Sequence, residues 1–172
     1  MFGTPLEPPL GAGPLVLCIA LALGCAITDL WRGRVYNTAT YAGLALGFVT
    51  QTWFGAGPSF ALGGLLTGAA PMLLLFAFGG VGGGDVKLFA ALGMLLGARR
   101  TLVLIPLAFA FALVVALAQL AWQGRLFRTV WNSVRAPLSR SQQRLAVPFA
   151  LPILLGTLAV LFDFDLLAIG GW

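Results

Sequence analysis

The chain has 172 residues, 60% of them hydrophobic and only 9% charged, with a mean hydropathy of +0.99. A soluble domain carries about 25% charged residues, so the composition excludes an ordinary soluble globular protein and points to an integral membrane protein. Ten Lys and Arg against five Asp and Glu give a net charge of +5, which in an apolar chain reads as membrane topology rather than as affinity for nucleic acid.

Residues 1–13 form a short Pro/Gly-rich tail, and the first apolar span follows at 14–31. No Lys or Arg precedes Arg32, so the basic region of a cleavable signal peptide is missing and the span is expected to be retained. Cys18 and Cys25 lie seven apart on one face of this helix. A disulfide between them is excluded by geometry, and they read as small core residues. Asp29 closes the span, followed by a tight basic loop of eight residues, LWRGRVYN (30–37), in which Asn37 and Thr38 can cap the next helix. Residues 35–84 carry no charge at all, a run too long for one crossing of ~20 residues. Gly55, Gly57 and Pro58 divide it into spans at 37–54 and 59–78.

The fourth span, 85–98, has 14 residues, or ~21 Å of helix against ~30 Å of hydrocarbon. It can cross only if the bilayer thins or the glycine-rich loop ahead of it dips into the membrane, beside protein or a water-filled cavity. Spans at 101–122 and 146–165 complete six. Between them lies the long loop 123–145. Within it, residues 124–136 put Leu126, Phe127, Val130, Trp131 and Val134 on one helical face and Arg125, Arg128, Asn132 and Arg135 on the other. That is the pattern of an amphipathic helix lying in the membrane interface; it anchors the topology or docks a partner, and Pro137 ends it. The expected fold is a single all-α domain over 1–172, with six transmembrane helices and a short interfacial amphipathic helix.

The acidic residues are Glu7, Asp29, Asp85, Asp163 and Asp165. Glu7 lies in the tail, and Asp163 and Asp165 lie near the outer end of the last span. With an external N-terminus, Asp29 and Asp85 both reach the cytoplasmic side, and carboxylates in membrane segments mark functional sites by default. Asp85 ends the run FGGVGGGD, 78–85. Gly82, Gly83 and Gly84 are expected to supply unusual backbone angles and to let another chain come close, and the run lacks the Gly-Lys-Ser/Thr ending of a phosphate loop. Lys87, two residues on, is expected to snorkel to the interface. There is no histidine and no cysteine cluster, so neither a zinc site of the usual kind nor a Ser-His triad can be built, and no cofactor or metal is expected. Two carboxylates facing a wet cleft suit aspartic peptide hydrolysis, in which one activates water and the other, holding a proton, donates to the scissile carbonyl oxygen. The alternative from spacing alone is structural: Asp29 pairs with Arg32 or Arg34, and Asp85 with Lys87, as interfacial ion pairs.

Gly82-Gly83-Gly84-Asp85 is the GxGD motif of intramembrane aspartic peptidases, and GGGDVKLFAALGMLLG (82–97) closely resembles the motif region of type IV prepilin peptidases. Asp29-Leu30-Trp31-Arg32-Gly33-Arg34-Val35-Tyr36-Asn37 resembles that family's first catalytic segment, with Val-Tyr-Asn where Ile-Pro-Asn is usual. Val147-Pro148-Phe149-Ala150-Leu151-Pro152-Ile153 resembles its proline-containing last helix. The resemblance implies Asp29 and Asp85 as the catalytic pair, with Gly82, Gly84 and Lys87 as the motif positions where the substrate strand approaches. It also implies cleavage of prepilin leader peptides after a glycine, at the cytoplasmic face of the bacterial inner membrane. The implied partners are a prepilin with a short basic leader and a hydrophobic helix, membrane lipids, and other pilus-assembly proteins. Larger members have a big first cytoplasmic loop, often with paired Cys-x-x-Cys motifs, and also N-methylate the new terminus. The eight-residue, cysteine-free loop here resembles the short branch serving Flp (tight-adherence) pili, which argues against methylation. Presenilin-like peptidases match less well, because Thr28 stands where their Tyr-Asp motif has tyrosine.

Two other classes stay open from the sequence: a small proton-coupled transporter and a catalytically inactive pilus-assembly subunit. Two acids at one face rather than at the midplane weigh against the transporter. In the six-span arrangement the cytoplasmic loops hold Arg32, Arg34, Lys87, Arg125, Arg128, Arg135, Arg140 and Arg144, which is 8 of the 10 basic residues; if 85–98 did not cross, the division would be 5 against 5. The bias toward basic cytoplasmic loops therefore predicts an internal loop 123–145 and external ends. A cysteine placed at Ser133, on a background lacking Cys18 and Cys25, should resist an impermeant reagent in intact cells, and labelling from outside would refute the six-span topology.

Overall fold

A computed structural model describes residues 10–32, 36–122 and 149–169. Among these residues the chain is all-helical, with no strand. The helices are α1 (Ala12–Arg32), α2 (Asn37–Phe54), α3 (Pro58–Ala77), α4 (Gly83–Leu96), α5 (Ala98–Trp122) and α6 (Ala150–Ile169). Loop 123–145, its expected interfacial helix at 124–136 and Val147-Pro148 lie outside the described residues. Three helices, α1, α3 and the Ala98–Gln119 part of α5, are long and apolar enough to cross a membrane. α2 has the length, but Asn37, four threonines and Gln51 dilute its apolar character.

The helices invert the usual amphipathic arrangement. On α1 the buried stripe is Cys18, Ala22, Cys25 and Ala26, on α2 it is Thr40, Gly43, Gly47 and Gln51, and on α3 it is Ala61, Gly64, Gly68 and Met72. The large apolar side chains, such as Val16, Leu23, Leu66, Leu73, Leu102 and Leu113, point outward. An outer surface of this kind suits lipid, where packing of small residues rather than water exclusion holds helices together. Polar side chains are satisfied inside the bundle. The hydroxyls of Thr28, Thr50, Thr52, Thr67, Thr101 and Thr157 each donate to the carbonyl four residues back. No buried side-chain nitrogen or oxygen among the described residues lacks a partner, as an apolar surround requires.

α4 is the centre. Every residue from Leu88 to Leu96 is buried, and α1, α2, α3 and α5 all pack around it. This explains how a 14-residue helix serves in a protein built for a bilayer: surrounded by protein, it has no hydrocarbon thickness to match. The closest contact is with α3. A methyl group on Gly64 would meet the backbone carbonyl oxygen of Gly93 at 1.9 Å, and one on Gly68 would meet that of Phe89 at 2.3 Å, so the two backbones touch directly.

The connections are correspondingly short. α4 passes into α5 through Gly97 alone, in the left-handed region (φ 83°), with the Phe60 ring where a Cβ would stand. Arg99 and Arg100 thus fall in the first turn of α5 rather than in a loop, and Arg100 is buried there beside the Leu96 carbonyl. At the other end of α3, Gly79 (φ 75°) donates its N–H to Phe76 O and Gly80 donates to Leu75 O, a Schellman ending. The left-handed residue in this loop is therefore Gly79, not the expected Gly82–Gly84. Gly82 is extended at φ −80°, ψ 150°, and Gly83 and Gly84 belong to the first turn of α4.

Gly64→Ala should destabilise the bundle by about 1–3 kcal/mol, because the added methyl overlaps main chain that cannot swing aside. Gly63→Ala, one position along and facing open space, should be neutral or slightly stabilising. Thermal unfolding of the two variants in one detergent checks the contrast.

Candidate functional site

The up-and-down course of the helices gathers the C-terminus of α1, the N-terminus of α2, the start of α4 and the start of α6 at one end of the bundle. Two contacts distant in sequence register this. The Ala150 N–H at the head of α6 donates to Asp29 Oδ2 at 3.0 Å, and Lys87 Nζ on α4 donates to Asn37 Oδ1 on α2 at 2.8 Å.

Asp29 lies near the last turn of α1 and is half-buried. Its acceptor role follows from the chemistry of helix starts. The Ile153 N–H bonds back to Phe149 O, so the N–H groups of Phe149, Ala150 and Leu151 have no partner within α6, and Pro152 has none to satisfy. Ala150 is fully buried, where an unmade hydrogen bond is costly. A carboxylate at the positive end of the helix dipole meets both needs. Phe149 packs its ring on Phe109 of α5, with centroids 5.4 Å apart, and this fixes where α6 begins.

Asp85 occupies the third position of α4 and is half-buried. Its Oδ2 accepts the Gly82 N–H at 3.2 Å, the reciprocal half of a capping box. A Cβ on Gly82 would stand 3.1 Å from that oxygen, so glycine there gives the carboxylate room to fold back over its own helix start. Asp29 and Asp85 come near enough for the charge of one to act on the other. Each thus has Oδ2 held by one main-chain N–H.

The cations stand elsewhere. Lys87 has partners on α2. Besides Asn37, it sits over the Tyr41 ring, 4.9 Å from the centroid, a cation–π distance. Asn37 is the first residue of α2 and makes no side-chain cap; its amide oxygen serves Lys87 instead. Arg32 donates to the Tyr36 hydroxyl and lies over that ring at 5.7 Å. The alternative of interfacial ion pairs is not seen for Asp85 and Lys87 or for Asp29 and Arg32: Asp85 takes the Gly82 N–H and Asp29 the Ala150 N–H. Arg34 lies outside the described residues.

Of the five site residues expected from sequence, Asp29, Asp85, Gly82, Gly84 and Lys87 all lie at this end of the bundle. Sequence reasoning missed the Ala150 N–H, Tyr41, and the part played by Asn37. A main-chain donor has no residue signature, and Asn37 and Tyr41 are linked to Lys87 only by the packing of α2 on α4. At the opposite end, Gln51 is also buried. It donates to Leu95 O and accepts the Ala56 N–H, so α2 is tied to α4 at both ends. No group of three or more His, Cys, Asp or Glu that could hold a metal is found among the described residues.

A membrane-type helical bundle with two carboxylates at one end defines the class. A family model, that of the type IV leader peptidase family, matches residues 15–117, more than half of the chain. The chain belongs to that family, which implies a peptidase and, with the three apolar helices, a membrane protein. No curated protein and no solved structure matches it.

The Lys87–Asn37 bond should couple α2 to α4 energetically. In a double-mutant cycle of Asn37→Ala and Lys87→Met, the interaction energy should be about 0.5–1.5 kcal/mol, read from unfolding midpoints of the four proteins. A coupling near zero would return Lys87 to the lipid interface.

Proposed function

We propose that the protein is an intramembrane aspartic endopeptidase that removes the leader peptide of type IV or Flp prepilins, cutting after a glycine at the cytoplasmic face of the inner membrane. Asp29 and Asp85 form the catalytic pair. The observation that supports this reading is that Asp29 at the end of α1 and Asp85 at the start of α4 lie at the same end of the bundle, in a chain of the type IV leader peptidase family.

The chemistry follows from two carboxyl groups holding one proton between them. The ionised one takes a proton from water as the water oxygen attacks the scissile carbonyl. The protonated one gives its proton to the carbonyl oxygen, forming the neutral tetrahedral gem-diol. Collapse transfers a proton to the amide nitrogen, breaks the C–N bond, and releases a new carboxyl and a new amine. Oδ1 of each aspartate remains for these transfers while Oδ2 is held. The short α1–α2 connection favours the Flp-type branch, and Gly82, Gly83 and Gly84 leave the start of α4 beside Asp85 without side chains where an extended substrate strand can approach.

The same geometry supports a second, plainer reading, in which both aspartates are only helix caps. Asparagine separates the two, because its amide oxygen still accepts from an N–H and it caps about as well as aspartate, yet it cannot shuttle a proton. Asp29→Asn and Asp85→Asn should each keep protein level and thermal stability within about 1 kcal/mol, and each should lose at least 10²–10⁴-fold in the rate of leader removal, roughly what general acid–base catalysis contributes. The readout is the mass shift of a co-expressed prepilin. Processing retained by either variant would leave capping as the role of that aspartate.

A further inference from the structure

We propose that the N-terminus of α6 is a positioning element for the catalytic pair: the Ala150 N–H fixes one oxygen of Asp29 so that the other faces the water and the shared proton. This rests on the peptidase reading above. Ala150 lies beyond the segment matched by the family, 15–117, so the inference adds a part of the chain that the match does not reach.

Three features of the site carry it. The bond is direct, N to Oδ2 at 3.0 Å, and joins residues 121 apart in sequence. The donor is firmly placed: Ala150 is fully buried, and the residue before it packs on Phe109, while Gly156 one and a half turns on lets α6 press against the Ala108 main chain. The donor is also singular. With Pro152 lacking an N–H, the start of α6 presents the N–H groups of Phe149, Ala150 and Leu151, and Ala150 is the one that meets Asp29. An aspartate carboxylate without such a restraint can swing about its Cα–Cβ bond. Misplacement of a reacting group by about 1 Å costs on the order of 10²-fold in rate, so a donor that removes this freedom acts on catalysis through Asp29 without touching substrate. Asp85 is held in the same manner by the Gly82 N–H, but that donor comes from its own helix. Only Asp29 depends on a different helix for its orientation.

The test removes the N–H by placing lactic acid at position 150 of the full chain, so that the amide becomes an ester and the methyl group stays. The Phe149 carbonyl, which accepts the Ile153 N–H, becomes a weaker acceptor, an effect that the ester at 151 reproduces at the next carbonyl. The control is the leucine-derived hydroxy acid at position 151, which removes the neighbouring N–H that Asp29 does not use. Against a synthetic prepilin leader segment in detergent micelles, the ester at 150 should lower kcat roughly ten- to hundredfold with KM unchanged, and the ester at 151 should stay within about twofold of the native chain. The encoded pair Ala150→Pro and Ala150→Gly should divide the same way, with activity lost in the variant lacking the N–H and kept in the one retaining it. With the four aspartates carboxyl-labelled with ¹³C, the infrared band that disappears in Asp29→Asn should shift in the 150 ester and not in the 151 ester. Native kcat in the 150 ester, equal losses in the two esters, or a loss confined to KM would overturn the proposal. If the native chain cleaves no leader, the peptidase reading falls, and an unmoved Asp29 band would separately overturn the tie between α6 and Asp29.

Discussion

The direct contact of the α3 backbone on the α4 backbone is the constraint on which the rest of the molecule depends. Gly64 and Gly68 on one helix lie against Gly93 and Phe89 on the other, with main-chain atoms where side chains would ordinarily stand. In an apolar solvent this kind of contact holds helices together, because greasy side chains gain little by turning away from lipid. Once α3 is seated, α4 is sealed on a second side by α2, through Gly47 against Leu95 and through the Gln51 side chain on the Leu95 carbonyl. A helix too short to span hydrocarbon is thereby carried inside a shell of longer ones.

The position of the site follows from that arrangement. α4 starts where the Schellman turn at Gly79–Gly80 releases the chain, and its third residue is Asp85. Because α4 is central, its first turn opens toward the ends of α1, α2 and α6 and not toward lipid. Asp29 therefore lies at the same end of the bundle as Asp85, on a neighbouring helix, and the cations have other partners, with Lys87 on Asn37 and Tyr41 and Arg32 on Tyr36. A lysine held on a neutral amide and an aromatic face leaves the two carboxylates without a direct ion-pair partner among these cations. That suits a pair whose proposed task is to hold and pass one proton, since an ion pair would favour the doubly ionised state.

The polar contacts around the pair also divide labour between local and long-range structure. Asp85 is oriented by the Gly82 N–H three residues away, an interaction that forms with the helix itself. Asp29 is oriented by a residue 121 positions distant, which requires α5 and α6 to be docked first. The two halves of the proposed pair thus become ordered at different stages of assembly, and the second is complete only when the whole bundle is.

The membrane class, the approximate bounds of the six helices among the described residues, the break at Gly55–Pro58 and the two aspartates that lie at one end of the bundle were legible in the sequence. Each rests on a one-dimensional signal: a charge-free run of ~20 residues, a glycine or proline that interrupts it, or a carboxylate that an apolar segment would not carry without use. The small-xxx-small spacings at Gly43/Gly47, Gly64/Gly68 and Gly93/Gly97 suit close helix contacts, although spacing alone does not say which helix receives which. Tertiary structure decided the partners. Asn37 could have capped α2, and takes Lys87 instead because α2 lies against α4. Lys87 could have paired with Asp85, but the start of α4 turns that carboxylate back to the Gly82 N–H. The donor to Asp29 is a main-chain N–H, which every residue except proline possesses and no sequence pattern marks. Hydrogen bonds between groups far apart in the chain depend on where packing sets the backbones, and that is a property of the folded bundle, not of any segment within it.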